Sequence, residues 1–138
     1  MTDLTGTLKK IFGFGVFRPN QQEIVEAVLA GRDSFAVMPT GGGKSLCYQL
    51  PAYLQHGTCL VISPLISLMK DQVDGCLGLG LRAAFLNSTL TGPEMTSVYR
   101  RLREGALDLL YVAPERFAMD DFLARLETNA PSFIAIDE

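Results

Sequence analysis

The sequence predicts an α/β fold, a mainly parallel sheet with helices on both faces. Short runs that are apolar throughout alternate with longer segments of helical spacing, and a glycine-rich turn joins the first apolar run directly to a helix. Strands without polar alternation are buried on both sides, and a parallel sheet between helical layers is the arrangement that does this. The 138 residues are 48% hydrophobic and 20% charged, so one core can form and neither disorder nor a fibrous repeat is tenable.

The elements follow in order. Leu4 to Phe12 can form a short helix. Asn20-Gln21-Gln22-Glu23 reads as a capping-box-like start for a second, with Ile24, Val25, Val28 and Leu29 on one face and Gly31 as its stop. Phe35 to Met38 is the first strand, and Lys44 to Leu54 the helix after the glycine turn. Strands are then expected at Cys59 to Ile62, Ala83 to Leu86, Leu109 to Val112 and Phe133 to Ile136. Helices between them are expected at Leu65 to Leu77, Glu94 to Arg103 and Asp120 to Glu127, with Leu65, Leu68, Met69 and Val73 packed into the core.

Chemistry concentrates in Pro39-Thr40-Gly41-Gly42-Gly43-Lys44-Ser45. Consecutive glycines let backbone N–H groups curve around phosphate oxygens, and the following helix adds its positive N-terminal end. Lys44 would reach the β- and γ-phosphates and the Ser45 hydroxyl would ligate Mg²⁺, as in the G-x-x-x-x-G-K-[ST] pattern, although Met38 stands where that pattern begins with glycine. A plain connecting turn with a solvated lysine is the alternative. The strand before it and the helix after it favour the phosphate cradle. Phe133 to Ile136 leads into Asp137-Glu138, an acidic pair at a strand end suited to hold Mg²⁺ (Asp137) and to orient or deprotonate an attacking water (Glu138).

With these motifs in place, the chain resembles the N-terminal ATPase lobe of RecQ-family DNA helicases, a P-loop NTPase lobe of RecA-like fold. Met38 to Gln49 is similar to the family's motif I, where the first glycine is often missing. Phe12-Gly13-Phe14 with Phe17-Arg18-Pro19-Asn20-Gln21 resembles motif 0, Ser63 to Val73 motif Ia, and Ala113-Pro114-Glu115-Arg116 motif Ib. Leu86-Asn87-Ser88-Thr89 lies between the last two, and Ile136-Asp137-Glu138 would open motif II. The resemblance implies ATP with Mg²⁺ as the bound nucleotide. Arg18 and Gln21 would bond the adenine edge and Phe14 would stack on its face, beside a phosphate cradle of Pro39, Thr40, Gly41, Gly42, Gly43, Lys44 and Ser45. It implies single-stranded or forked DNA as partner, with Ser63, Ser67, Lys70, Asn87, Ser88 and Arg116 along the strand's path. It also implies 3′ to 5′ unwinding by the intact protein.

Relatives of this kind continue past motif II into a second ATPase lobe, so residues 1–138 are expected to be a partial ATP-binding domain, truncated after the motif II strand, that lacks that lobe in cis and does not unwind DNA alone. A module that binds nucleotide or DNA without turnover, and a P-loop ATPase acting on protein or RNA, are the competing readings. The second leaves motif 0 and Ser63 to Val73 unexplained.

A net charge of −3 argues against a whole-surface grip on nucleic acid, so contacts must be local. Cys47, Cys59 and Cys76 sit in or beside apolar runs and read as reduced structural thiols, and the single histidine, His56, as a helix-end residue. No apolar run is long enough for a membrane span and no signal peptide is evident, so a cytoplasmic place is expected, at the nucleoid in a bacterium or in the nucleus of a eukaryote.

Overall fold

The computed structural model describes residues 3–34 and 43–137, apart from the side chain of Asp120. The chain divides into two compact units, Met1–Gln55 and His56–Glu138.

The first unit is helical over its described residues. Helix α1, Leu4–Thr7, is capped by Asp3, whose carboxylate accepts from the Gly6 N–H at 2.9 Å, and runs on as a π-helical turn over Leu8–Phe12. Helix α2 is Gln21–Leu29 and α3 is Leu46–Leu54. The capping box expected at Asn20 does not form: its backbone is left-handed (φ 73°) and its side chain makes no cap bond. The chain ahead of α2 is held instead by the Gln21 side chain. Gly31 ends α2 as expected, at φ 76°, a conformation that carries no penalty without a Cβ. Leu8, Val25, Leu46 and Leu50 are buried together, one layer from each helix. The strand expected at Phe35 to Met38 lies outside the described residues.

The second unit is a sheet with helices on both faces. Strands β1 (Cys59–Ile62), β2 (Ala83–Leu86), β3 (Leu109–Val112) and β4 (Phe133–Ile136) stand in the order β2-β3-β1-β4, every neighbouring pair parallel. Each strand falls where the apolar runs predict it. Helix α4 is Ile66–Gly78, α5 is Gly92–Arg103 and α6 is Asp120–Thr128, with a 3₁₀ turn at Pro114–Ala118. Because side chains alternate across a strand, Leu60, Ala84, Leu86, Leu110 and Val112 share one face, and Val98 and Leu102 of α5 with Phe122 of α6 close over them. The opposite face carries Tyr111, fully buried, whose Oη lies 3.5 Å from Cys76 Sγ of α4. The α/β expectation with both faces covered is therefore met.

Three details differ from expectation. Met69 and Val73 are buried on α4, but Leu68 lies on its outward flank, 45% exposed, and Leu65, the non-helical residue ahead of the first turn, is 39% exposed. α5 begins two residues earlier than read, at Gly92, because Thr91 and Glu94 form a reciprocal capping box ahead of Pro93. At β4, Ile134 and Ile136 are exposed although they face the same side as Leu60 and Ile62, with which they pair. No helix among the described residues is long and apolar enough to cross a membrane.

The amino ends of the strands are tied by polar side chains. Asp108, ahead of β3, accepts from the Arg82 backbone N–H at 2.9 Å and from its guanidinium at 2.9 Å, while the buried Thr58 hydroxyl donates to the Leu107 carbonyl at 2.8 Å. The Arg82 side chain is 56% exposed, so the ion pair itself contributes little; the backbone bond carries the stabilisation. Asp108→Ala leaves that N–H unmatched and is expected to lower unfolding free energy by about 2 kcal/mol, against less than about 1 kcal/mol for Arg82→Ala. Equal losses in urea titrations would contradict the assignment.

All three cysteines are buried. Burial pushes the Cys47 thiol up to about 11 and the Cys59 thiol further still. Native protein is expected to resist thiol reagents at pH 8 and to react only on unfolding; prompt labelling of Cys59 in the native state would be inconsistent with this burial.

Candidate nucleotide and nucleic-acid sites

In the first unit, the residues that resemble motif 0 and motif I meet. Gln21 is 3% exposed, and its amide bridges two segments: Oε1 accepts from the Arg18 N–H at 2.8 Å, and Nε2 donates to the Gly43 carbonyl at 3.0 Å. An amide is the side chain that can do both, offering an acceptor and a donor from one planar group. The bridge fixes the backbone immediately before Lys44. Gly43 itself has φ 78°, and a Cβ there would run into Gln21 Nε2, so glycine is required on two counts.

Lys44 and Ser45 follow, both half-buried, and lead into α3. Ser45 stands at the helix N-cap, yet its backbone is helical and its hydroxyl makes no capping bond. That oxygen is not committed to the helix. The first N–H groups of any helix lack intrahelical acceptors, so the start of α3 can receive an anion. Phe14 is 53% exposed and Arg18 is exposed, so two of the three motif 0 side chains expected at the base are surface groups, while the third, Gln21, is buried. Pro39, Thr40, Gly41 and Gly42 lie outside the described residues.

In the second unit, register gathers the other candidates. Ile62 is aligned with Val112 and Ile136, and Val112 with Leu86, so all four strands end at one level. The residues that follow them, Ser63, Asn87, Ala113 and Asp137, therefore lie along one carboxyl edge. Backbone bonds continue the ladder past the strands: the Ser63 N–H donates to Val112 at 3.0 Å and the Asp137 N–H to Ile62 at 2.9 Å. In open α/β sheets, ligands bind at the carboxyl edge.

Along this edge the side chains differ in access. Ser63 is fully buried and its Oγ accepts from the Leu65 N–H at 3.2 Å, shaping the turn into α4. Asn87 is 3% exposed: its Oδ1 accepts from the Thr89 N–H at 2.9 Å and from the Thr89 hydroxyl, and its Nδ2 donates to Met69 Sδ at 3.6 Å. Both organise backbone, an ST-type and an Asx-type turn. Ser67, Lys70 and Ser88 are exposed. Lys70 pairs with Asp74 one turn on, at 2.8 Å, which raises its pKa first through that hydrogen bond and then through the charges of Asp74 and Asp71. Arg116 is 7% exposed, its guanidinium between the thioethers of Met95 and Met119, each at 3.9 Å. Asp137 is 9% exposed, and Glu138 lies outside the described residues.

No cluster of three or more histidine, cysteine, aspartate or glutamate side chains able to hold a metal exists among the described residues. Each unit carries one hard oxygen donor of the kind Mg²⁺ takes: the Ser45 hydroxyl, which makes no capping bond, in the first, and the Asp137 carboxylate in the second.

The sequence pattern gave no sign of the Gln21 bridge to Gly43, because the partners are 22 residues apart; the signal available was an amide directly at a helix start without a working cap.

Comparison with known proteins agrees with the geometry. The family model for DEAD/DEAH box helicases matches residues 18–138. The chain is 50% identical over 131 residues, 95% of its length, to the ATP-dependent DNA helicase RecQ of Pasteurella multocida, of which it covers 21%. It is 46% identical over 132 residues to the ATP-dependent DNA helicase RecQ of Bacillus subtilis, with 95% of this chain and 22% of the relative covered. Over 135 residues it is 48% identical to the ATP-dependent DNA helicase Q-like 2 of Arabidopsis thaliana, with 93% and 19% covered. The chain thus spans about a fifth of these relatives, and the RecQ resemblance carried by the motifs is met.

If Gln21 fixes the backbone ahead of the lysine, Gln21→Ala is expected to accelerate hydrogen exchange at the Arg18 amide by at least about tenfold while exchange in the core of α2 stays slow. Unchanged protection at Arg18 would remove the bridge from the account.

Proposed function

From the premise that this chain belongs to the DEAD/DEAH box helicase family, we propose that it is the ATP-binding lobe of a RecQ-type DNA helicase, one that binds ATP with Mg²⁺ and contacts single-stranded or forked DNA. The observation that carries this is the placing of the motif residues: Gln21 bonded to the residue before Lys44 in one unit, and four motif-bearing loops along a single carboxyl edge in the other.

In this reading the turn ending at Gly43 and the start of α3 receive the phosphates, and the Lys44 ammonium balances charge on the β- and γ-phosphates. Ser45 and Asp137 would hold Mg²⁺, which when bound screens the triphosphate charge. Glu138 orients the attacking water. Phe14, Arg18 and Gln21 face the base, Gln21 by the free hydrogen-bonding capacity that its amide retains beyond its two contacts. DNA passes over the carboxyl edge, held at the sugar-phosphate backbone without reading sequence, by Ser67, Lys70 and Ser88 directly, and through turns shaped by Ser63 and Asn87. Arg116 belongs to the same edge but sits below its surface.

Hydrolysis and unwinding belong to the longer protein. A motor of this kind completes the charge-stabilising set around the transferring phosphoryl group when a second lobe closes on the first. As a DNA motor the intact protein would work beside the chromosome, in the cytoplasm at the nucleoid of a bacterium or in the nucleus of a eukaryote.

The test is a set of variants of the full-length protein, read by fluorescent-nucleotide binding and by strand displacement on DNA and RNA duplexes. Lys44→Ala is expected to weaken ATP binding by about tenfold or more, and Asp137→Asn to reduce kcat by at least about a hundredfold with nucleotide affinity far less affected. Residues 1–138 alone are expected to displace no strand. ATP affinity unchanged in Lys44→Ala, or displacement confined to RNA, would overturn the reading.

A further inference from the structure

In the second unit, a groove runs between α5 and α6. Two cavities of about 430 and 340 Å³ share Tyr99, Asp121 and Arg125 and so form one channel, from Gly92 and Met119 at the carboxyl edge down to Arg103 and Asn129 at the opposite edge. Its length is that of α5, 12 residues or about 18 Å, the span of about five or six extended residues.

Among the described residues, the charge on the floor of this groove has no counter-ion. Arg116 is 7% exposed, and the partners its guanidinium meets among them are the thioether sulfurs of Met95 and Met119. Thioethers are weak acceptors, and a desolvated guanidinium bonded to nothing stronger is costly. Arg125 stacks over the Tyr99 ring at 4.0 Å, with Asp121 at 3.7 Å, and Arg103 stands exposed at the lower end. Among the described residues the lining sets one carboxylate, Asp121, against three arginines, a positive balance on a chain that is negative overall. Met95, Tyr99, Met119 and Phe122 make its walls apolar.

We propose that this groove binds an extended acidic segment of a partner protein, one carboxylate reaching Arg116 and apolar side chains packing on the methionines and Tyr99. A slender carboxylate arm can reach a recessed guanidinium and bond it in the two-pronged manner that suits arginine. Methionine and tyrosine are the adaptable lining that protein interfaces favour. A nucleic-acid backbone is the less suitable occupant: the groove leaves the carboxyl edge, and the cation at its upper end, Arg116, is recessed where phosphate contacts call for exposed ones.

Fluorescence anisotropy tests this with the full-length protein and a pool of labelled octapeptides in which Asp or Glu alternates with Leu or Phe. Saturable binding is expected, absent from a pool with Lys in place of the acids. It should weaken by about tenfold in Arg103→Glu and in Met119→Glu, exposed positions whose substitution leaves ATP turnover unchanged. Hydrogen exchange should slow across 92–103 and 116–128. Arg116→Gln is expected to weaken binding further, but the exposed pair keeps the test independent of its folding. No binding by any pool member, binding indifferent to both exposed variants, protection elsewhere, or displacement of bound peptide from these segments by oligo(dT) would each overturn the proposal.

Discussion

The in-register parallel pairing of β1 with β3 on one side and β4 on the other is the constraint on which the second unit depends. Because the strands run the same way and end at the same level, the residues that follow them are delivered to one edge whatever their separation in sequence. Ser63 and Asp137 are 74 positions apart and yet both continue the ladder of their neighbours. A slip of one residue in β4 would move Asp137 off the end of β1 and turn every side chain of that strand to the other face.

The two ends of the sheet are finished differently. At the amino end, Asp108 and Thr58 tie neighbouring connections together with short bonds to backbone, which fixes the strands against sliding. At the carboxyl end, Ser63 and Asn87 each accept from a backbone N–H two positions on, which shapes the start of each loop locally, and Asn87 adds a bond to Met69 Sδ. Rigidity is thus built into the end where no ligand is expected, and locally shaped loops into the end that carries the motif residues.

Much of this was legible in advance. Runs such as Leu109 to Val112 are apolar throughout and of strand length, which is why four strands were located to the residue, although one face of β4 is exposed. Helix starts were harder. Asn20 has the right chemistry for a cap, but its left-handed backbone removes the geometry, and Gln21 takes over from inside the helix. Thr91 forms the reciprocal cap that Asn20 lacks. Leu65 and Leu68 were placed in the core because helical spacing cannot say which flank of a four-turn apolar surface is covered. Of the candidate sites, residue identities could be read from the motifs, whereas access could not. Nothing in Ala113 to Arg116 indicates that its arginine is recessed between sulfurs, since Met95 lies 21 positions away and Met119 beyond the turn.

The cap at the head of α5 makes that helix respond to acid. The Thr91 N–H, with its hydroxyl second, holds the Glu94 carboxyl below its usual range. A group whose proton affinity drops on folding adds stability above its unfolded pKa and gives it up as pH falls through its folded one. Below the carboxylate range Glu94 takes up a proton, the reciprocal bond to the Thr91 N–H weakens, and the first turn of α5 frays. Gly92 and Met95 lie in that turn, so strong acidification, past the ordinary carboxylate range, would open the upper end of the α5 and α6 channel while the strands beneath keep their pairing.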